Sequence, residues 1–268
     1  MLIESKEKYI PELSQLWKNV FGDEDGYIKL FFDTAYKTCR CFAHLENEKI
    51  VSALYLLDCS ISLDSKLFDG YYLYAAATDE NYRGRGLMKK LIEEAEDFMK
   101  EQKKAFIALV PASASLYDYY SKFGFVTSMK KYSGKVKATR SAEMKKINAC
   151  EVWHEKQNAS FDRFIWTEDN HRYALDCLAY YKTEFYKSDD GIVLTDGKTI
   201  KEAFAATAEK CRSLLNDIGA VAEGDVSVDC PFELFGFEKR NFGMIYTEDE
   251  IIKEKIRNKM IYMNLALD

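Results

Sequence analysis

Tyr71-Tyr72-Leu73-Tyr74-Ala75-Ala76-Ala77-Thr78-Asp79-Glu80-Asn81-Tyr82-Arg83-Gly84-Arg85-Gly86-Leu87-Met88 is the stretch on which the reading of the fold turns. Its first eight residues, apolar and aromatic, predict a strand. From Leu87 the period changes: Leu87, Leu91, Ala95 and Phe98, flanked by Met88, Ile92 and Met99, make one apolar stripe, which predicts a long helix over residues 86–102. Residues 105–110 are a short continuous apolar run that Pro111 stops. Strand, helix and strand therefore read as a crossover unit whose two strands are parallel and buried on both faces. The loop at its first turn holds two glycines and two arginines. A helix start leaves its first amides without intrahelical partners and carries roughly half a positive charge, so this loop is a candidate anion site at the strand edge where open sheets bind ligands. Arg-Gly-Arg-Gly alone is also the composition of a basic surface turn; its place between strand and helix favours the anion site.

Working outward, Leu13, Leu16, Trp17, Val20 and Phe21 predict a helix over residues 12–21, and Leu30, Phe31 and Ala35 another over 27–36. Three β-rich runs follow at 41–45, 50–58 and 71–78 with no helix between them, an antiparallel meander that joins the crossover unit in a mixed sheet. Residues 113–122, with Tyr117, Tyr119 and Tyr120, predict a short helix closed by Phe123-Gly124-Phe125 and followed by a last strand. From residue 135 the pattern starts again, with a helix near 168–181, strands near 191–195 and 200–205, a helix near 207–217 and a strand near 225–228. Pro231 and Phe235-Gly236-Phe237 then repeat the order of Pro111 and Phe123-Gly124-Phe125 at unequal offsets, a hint of degenerate internal duplication. Because 268 residues exceed the usual single core, the expected organisation is two units, 1–134 and 135–268.

Composition narrows the function classes. No run of about 20 apolar residues exists to span a bilayer, which argues against a membrane protein. The first residues lack the basic-then-apolar order of a secretory signal, so a cytoplasmic protein is expected. The seven cysteines are odd in number, and their only close pair is Cys39-x-Cys41. With no C-x-x-C and no spaced Cys/His set, neither a disulfide framework nor a metal site is expected. A net charge of -6 opposes nucleic-acid binding through phosphates and mildly favours a cationic substrate.

Strand, basic glycine loop, long amphipathic helix, buried strand and a tyrosine helix ending in Phe-Gly-Phe together resemble the Gcn5-related N-acetyltransferase (GNAT) family. The family's pyrophosphate motif, Arg/Gln-x-x-Gly-x-Gly/Ala, is matched by Arg83-Gly84-Arg85-Gly86-Leu87-Met88 in its first two fixed elements, with Met88 where Gly or Ala is usual. The spelling Tyr-Arg-Gly-Arg-Gly-Leu-Met before a tyrosine helix looks most like the Eis-type branch, whose members join two such domains in tandem and often add a sterol-carrier-like third. The resemblance is specific over residues 71–125 and architectural elsewhere. It implies an α/β fold of two tandem GNAT-like domains, each a mixed central sheet flanked by helices. The first would bind acetyl-CoA as cosubstrate. The second, which passes from strand to helix between Ile200 and Asp217 without Arg-x-x-Gly, would bind no coenzyme and instead shape an acceptor cleft.

Residue by residue, the resemblance implies that the backbone of Ala76, Ala77 and Thr78 pairs with the pantetheine arm like an added strand. Arg83, Gly84, Arg85, Gly86, Leu87 and Met88, with Lys89, would wrap the pyrophosphate through main-chain amides. Tyr120, five residues before Phe125, matches the general acid. The implied activity is acetylation of a primary amine on a small molecule, such as a polyamine or aminoglycoside, or on a peptide.

Elementary chemistry constrains the acid. Amine attack on a thioester releases a thiolate with a pKa near ~8.5, against ~10 for tyrosine, so direct transfer is uphill by about 2 kcal/mol. Tyr120 therefore either has a depressed pKa or acts by hydrogen bonding the developing charge, unless it simply packs its helix on the sheet. Tyr117, one turn earlier, is the fallback. Candidate proton acceptors at the sheet edge are Asp79, Glu80, Tyr72 and Tyr74, none singled out by spacing. In Eis-type proteins with the third domain the C-terminal carboxylate is the base; this chain reads as ending inside its second domain, and that role is not carried to Asp268. His44, His154 and His171 stand far apart without a ligand motif and read as structural or surface residues. Ser113 and Ser115 read as caps of the tyrosine helix or partners of the pantetheine arm, and Cys39 and Cys41 as buried thiols on one strand face. With no cysteine in a nucleophile position, direct attack in a ternary complex is expected. The rival classes are a catalytically inactive CoA-binding sensor or interaction module, and a transferase using a different acyl donor.

Overall fold

The computed structural model describes residues 2–4, 7–138, 143–157 and 159–264. In the first half, β1 (Leu2–Glu4) precedes α1 (Ile10–Phe21) and α2 (Asp25–Asp33). Pro11 sits in the first turn of α1, where its missing N–H removes no helix bond, and the helix stops at Gly22, left-handed at φ 76, whose N–H closes on the Lys18 carbonyl. The meander is β2 (Arg40–Glu46), β3 (Lys49–Leu63) and β4 (Lys66–Thr78). The crossover helix α3 (Leu87–Glu101) leads to β5 (Phe106–Leu109), and α4 (Ala114–Ser121) to β6 (Val126–Ala138). In the second half come β7 (Lys145–Lys146), α5 (Ala149–Gln157), β8 (Arg163–Trp166), α6 (Glu168–Tyr180), β9 (Glu184–Ser188), β10 (Gly191–Thr195) and β11 (Thr199–Phe204). They are followed by α7 (Ala208–Asp217), β12 (Gly224–Cys230), β13 (Glu238–Tyr246), α8 (Glu250–Asn258) and β14 (Ile261–Tyr262).

Several elements differ from the pattern reading. The helix expected over 27–36 breaks at Thr34 (φ -123, ψ -91), and a 3₁₀ turn, Ala35–Lys37, finishes it. The final strand of the first half is long, and β8, β13 and α8 had no counterpart in the periodicity.

Strands β2, β3 and β4 pair antiparallel and β4 pairs with β5 in parallel; β9, β10, β11 and β12 repeat the same plan with α7 as the crossover. The last strand of each half then changes sides. β13 pairs antiparallel with β5, β6 pairs antiparallel with β12, and β6 and β13 pair with each other. The central run β2-β3-β4-β5-β13-β6-β12-β11-β10-β9 therefore has the same plan from either end. The duplication hinted at by the two prolines and Phe-Gly-Phe turns is visible in this order. Instead of two closed sheets there is one, because each half's parallel strand leaves an edge that the other half's last strand covers. Residues 134 and 135 lie inside β6, so the halves share a strand there rather than a linker.

The core has matching parts. Leu91, Ile92, Ala95 and Met99 of α3 bury against Leu54, Leu56, Tyr71, Leu73, Ile107 and Leu109. Cys211, Leu214 and Leu215 of α7 bury against Val193, Ile200, Ala203, Val226 and Val228. The opposite face of the sheet is covered by α1, α2 and α6 through a large aromatic cluster that includes Trp17, Phe31, Tyr55, Tyr74 and Tyr173.

Candidate active site

The site begins where two parallel strands part. β4 and β5 pair through Gly70↔Phe106, Tyr71↔Ile107 and Tyr72↔Ala108; β5 ends at Leu109 while β4 runs on to Thr78. A Cβ on Gly70 would stand 2.4 Å from the Phe106 ring, so glycine there lets the pair close before it opens. Beyond Tyr72 the β5-facing edge of β4 has no strand partner among the described residues. The register against β3 slips by one residue between Ala53↔Ala77 and Tyr55↔Tyr74, and the extra residue, Ala75, takes φ 45. This bulge bends the open edge away from the ladder.

The loop after Thr78 is set by its own side chains. The Asp79 carboxylate accepts from the Asn81 amide at 2.9 Å and caps a 3₁₀ turn, Glu80–Tyr82. Gly84 (φ 75) and Gly86 (φ 73) are both left-handed, and a Cβ at either would meet nothing within 4 Å. Gly86 stands at the N-cap of α3 and provides no capping side chain, so the first-turn amides face open space. A groove of about 570 Å³ runs along Ala76, Thr78, Arg83, Gly84, Gly86, Leu87, Met88 and Lys89 to Tyr119 and Tyr120. Of the remaining residues expected here, Ala77 is buried on the other face of β4, its carbonyl accepting from Ser52 Oγ at 3.0 Å. Arg85 turns out of the groove: it lies over the Tyr82 ring, donates to the Asn81 carbonyl at 3.0 Å and pairs with Glu46 at 3.5 Å. Arg83 Nε donates to the Thr78 carbonyl at 3.2 Å, which braces the loop.

Tyr120 stands where the groove meets a second pocket of about 250 Å³ in the fork between β4 and β5, lined by Trp17, Asp23, Tyr74, Ala75, Val110 and Tyr120 among others. Gly124 (φ 83) turns the chain after α4 so that Phe125 packs on the Tyr120 ring with 5.8 Å between centroids. Burial, helped by Tyr119, pushes the Tyr120 phenol above its ordinary pKa. Of the two chemical roles open to it, hydrogen bonding as a neutral phenol fits this environment and a depressed pKa does not. Tyr117 is committed elsewhere, its hydroxyl donating to the Phe242 carbonyl of β13 at 3.0 Å.

Of the expected proton acceptors, Tyr72 and Tyr74 line the fork pocket but are engaged by other groups, and Asp79 and Glu80 line neither the pocket nor the groove. Tyr72 is buried against Phe164 and Trp166. Tyr74 lies between the Tyr27 and Tyr173 hydroxyls, each at 3.2 Å, and its burial drives its pKa well up. Asp79 serves as a cap, and Glu80 is exposed beside it. Ser113 occupies the N-cap of α4, but its hydroxyl bonds Ser115 at 3.1 Å and no amide. Asp268 lies outside the described residues. Pattern reasoning missed Asp23, in the turn after α1, whose carboxylate accepts from Trp17 Nε1 at 2.7 Å and lines the fork pocket. Its signal is a tryptophan on the apolar face of a helix, whose N–H needs an acceptor when buried.

Residues 2–127 match a family model described as an acetyltransferase (GNAT) domain. The first half is a GNAT acetyltransferase domain. No curated protein matches the sequence. Among solved structures, the chain superposes on a probable N-acyltransferase of unknown function from Enterococcus faecalis V583 with a TM-score of 0.75 and 16% identity, covering 92% of this chain and 72% of that one. For Eis1 from Mycobacterium abscessus the values are 0.73 and 8%, over 93% and 73%. For a GCN5-related N-acetyltransferase from Kribbella flavida they are 0.71 and 16%, over 92% and 71%. At these identities the likeness is one of fold, and it extends over both halves: two tandem GNAT-like units on the Eis-like plan.

Within the second unit the place equivalent to the glycine loop is built differently. Thr207 caps α7, accepting from the Lys210 amide at 3.2 Å, where α3 has a bare Gly86. Among the described residues no group of three or more His, Cys, Asp or Glu side chains gathers as a metal site, and no helix is long and apolar enough to cross a membrane.

Proposed function

We propose that this GNAT protein transfers the acetyl group of acetyl-CoA to a primary amine of a small molecule or peptide by direct attack in a ternary complex. The observation that carries the reading is the continuity of three features: the uncapped glycine start of α3, the unpaired bulged edge of β4, and Tyr120 at the mouth of the fork pocket. The amides of residues 86–89 fit a pyrophosphate, and the open space at Gly84 and Gly86 leaves room for it. The β4 edge at Ala76 and Thr78 fits an extended amide-bearing arm laid down as an added strand.

On this reading the acceptor enters the fork pocket. Asp23 holds its ammonium and takes up the proton that must leave before attack. The amine nitrogen then bonds to the acetyl carbon as the carbon–sulfur bond breaks, and the second proton it sheds on becoming an amide goes to the departing thiolate, which leaves as the coenzyme thiol. The Tyr120 hydroxyl holds the sulfur as negative charge develops there. Net charge of -6 supports a cationic acceptor by steering its encounter.

The test is thiol release from acetyl-CoA against a panel of polyamines, aminoglycosides and amine-bearing peptides. Tyr120→Phe is expected to lower kcat roughly 10²-fold with acetyl-CoA affinity within about twofold of wild type, the pattern of a lost transition-state hydrogen bond. Binding without turnover for any amine would instead favour a CoA-binding sensor. No saturable thermal stabilisation by acetyl-CoA at millimolar concentration would overturn the reading.

A further inference from the structure

Within the second half lies a further cavity that the acetyl-transfer reading leaves unused. It is small, about 40 Å³, and is lined by Lys156 and Gln157 of α5, Arg163 of β8, His171 of α6, Glu202 and Phe204 of β11, Tyr262 of β14 and the adjoining Asn264. Its place in the fold is informative. Tyr72 and Tyr74 lie on the β4 face turned away from α3, and Glu202 and Phe204 lie on the β11 face turned away from α7. The cavity thus occupies in the second half the side of the sheet that the fork pocket occupies in the first.

Its charges do not balance. Glu202, 1% exposed, is matched by Lys156 Nζ at 2.5 Å and by the Tyr262 hydroxyl at 2.8 Å. Arg163 is 7% exposed, and its partners among the described residues are main-chain carbonyls: Gln157 at 3.1 Å, Ala159 and Phe161. No described carboxylate answers the guanidinium. A buried charge paired only with carbonyl dipoles is strongly destabilising, and interiors compensate such charges. His171, 4% exposed, lines the same cavity with neither ring nitrogen hydrogen bonded. Two buried donor groups and one uncompensated positive charge therefore converge on one space.

We propose that this cavity binds a small monovalent anion, a halide or a carboxylate no larger than formate or acetate, between Arg163 and His171. The volume fits: one water needs at least ~10–15 Å³ by this measure, so a compact anion or about two waters is the limit. The position gives the anion a structural consequence. Arg163 lies opposite Ser62 of β3, and Tyr262 of β14 pairs with both Arg163 and Lys130 of β6, so the occupant sits at the branch that ties the halves together. Proton and anion binding are coupled as well. Burial first, and then the Lys156 ammonium, holds His171 down at about 3, and an anion among the groups that line the cavity with it, Lys156, Arg163, Glu202 and Tyr262, raises it.

The proposal is independent of the acetyl-transfer reading, and so is its test. The full chain is titrated with sodium bromide and with sodium formate, each at constant ionic strength balanced by sodium gluconate, which is too large for the cavity. At tenfold excess over Kd a saturable Tm rise on the order of 3 °C is expected. Bromide alone would identify a halide site, located by a bromide anomalous peak beside Arg163 and His171 in crystals; formate alone would identify a carboxylate site, located by difference density there after a formate soak. Arg163→Gln should abolish the effect. Because that variant also removes bonds to three carbonyls, Glu202→Gln supplies the complementary arm: removing the only carboxylate among the described residues that line the cavity should tighten binding several-fold. Responses to bromide and formate no larger than to gluconate would overturn the proposal, as would a folded Glu202→Gln with unchanged affinity.

Discussion

Tyr120 and Asp23 reach the fork pocket by different routes, and the difference shows what a sequence can reveal at the scale of one residue. Tyr120 was singled out through the family resemblance, by its place five residues before Phe125, and the structure sets it at the fork pocket. Asp23 was not singled out: the indole of Trp17 marks it only as an acceptor, and its place in the pocket comes from a strand fork assembled from residues 72–76 and 109–112. If Asp23 holds the acceptor's ammonium, Asp23→Asn should lower kcat/KM for amines at least tenfold while leaving acetyl-CoA affinity unchanged, measured by steady-state kinetics and calorimetry. The raised pKa of Tyr120 carries its own consequence. A phenol shifted upward stays protonated through neutral and mildly alkaline pH, so the alkaline limb of the rate profile should not fall on its account below pH ~10.

Among the elements, α3 joins the glycine loop to the exchanged strand, and each of its ends makes a separate prediction. At the N-terminus Gly86 needs φ 73, which a side-chain-bearing residue adopts at a cost of about 1–2 kcal/mol. Gly86→Ala should therefore lower stability by about 1 kcal/mol in urea unfolding. It should weaken acetyl-CoA binding more than tenfold, since the new Cβ occupies space open to the ligand. Further along, Glu96 lies beneath Tyr246 of β13, and burial raises its pKa from 4.5 to about 7 despite the opposing pull of Lys100. The folded state then holds a proton that the unfolded chain releases between pH 4.5 and 7. Stability from this group is full below pH 4.5 and is lost as pH rises through 7. Glu96→Gln should thus be neutral at pH 5 and stabilising by about 1 kcal/mol at pH 8, a figure discounted for the half-exposed carboxyl. Most elements around the loop were legible because an apolar stripe on α3 or a continuous run in β5 has one period. β13 was not: its first four residues, Glu238, Lys239, Arg240 and Asn241, are exposed and charged or polar, and its apolar half is too short to separate from a loop.

At the scale of the whole molecule, the exchange of β6 and β13 joins the two halves in one sheet. No periodicity announces such an exchange, since a strand's own residues record which face is buried but not whose edge it covers. The contact is close. β13 lies between β5 and β6, and a Cβ added at Gly243 would stand 2.9 Å from the Leu109 carbonyl of β5 and 2.4 Å from the Met129 methyl of β6. The methyl can swing aside, but the carbonyl belongs to a fully buried strand and cannot move without disturbing the fork beside it. Gly243→Ala is therefore expected to destabilise the chain by about 2 kcal/mol, in the range of an overpacked core. If the sheet unfolds as a unit, calorimetry should still show a single transition, shifted down by roughly 4–8 °C. Hydrogen exchange should quicken together in β5 of the first half and β12 of the second. A transition that splits in two, with the residues of β9 to β12 unaffected, would mean that the halves fold separately and that the shared strands are only a seam. A single lowered transition would mean that the coenzyme groove, the fork pocket and the cavity at Arg163 draw on one common stability, so that a ligand bound in any of them protects all three.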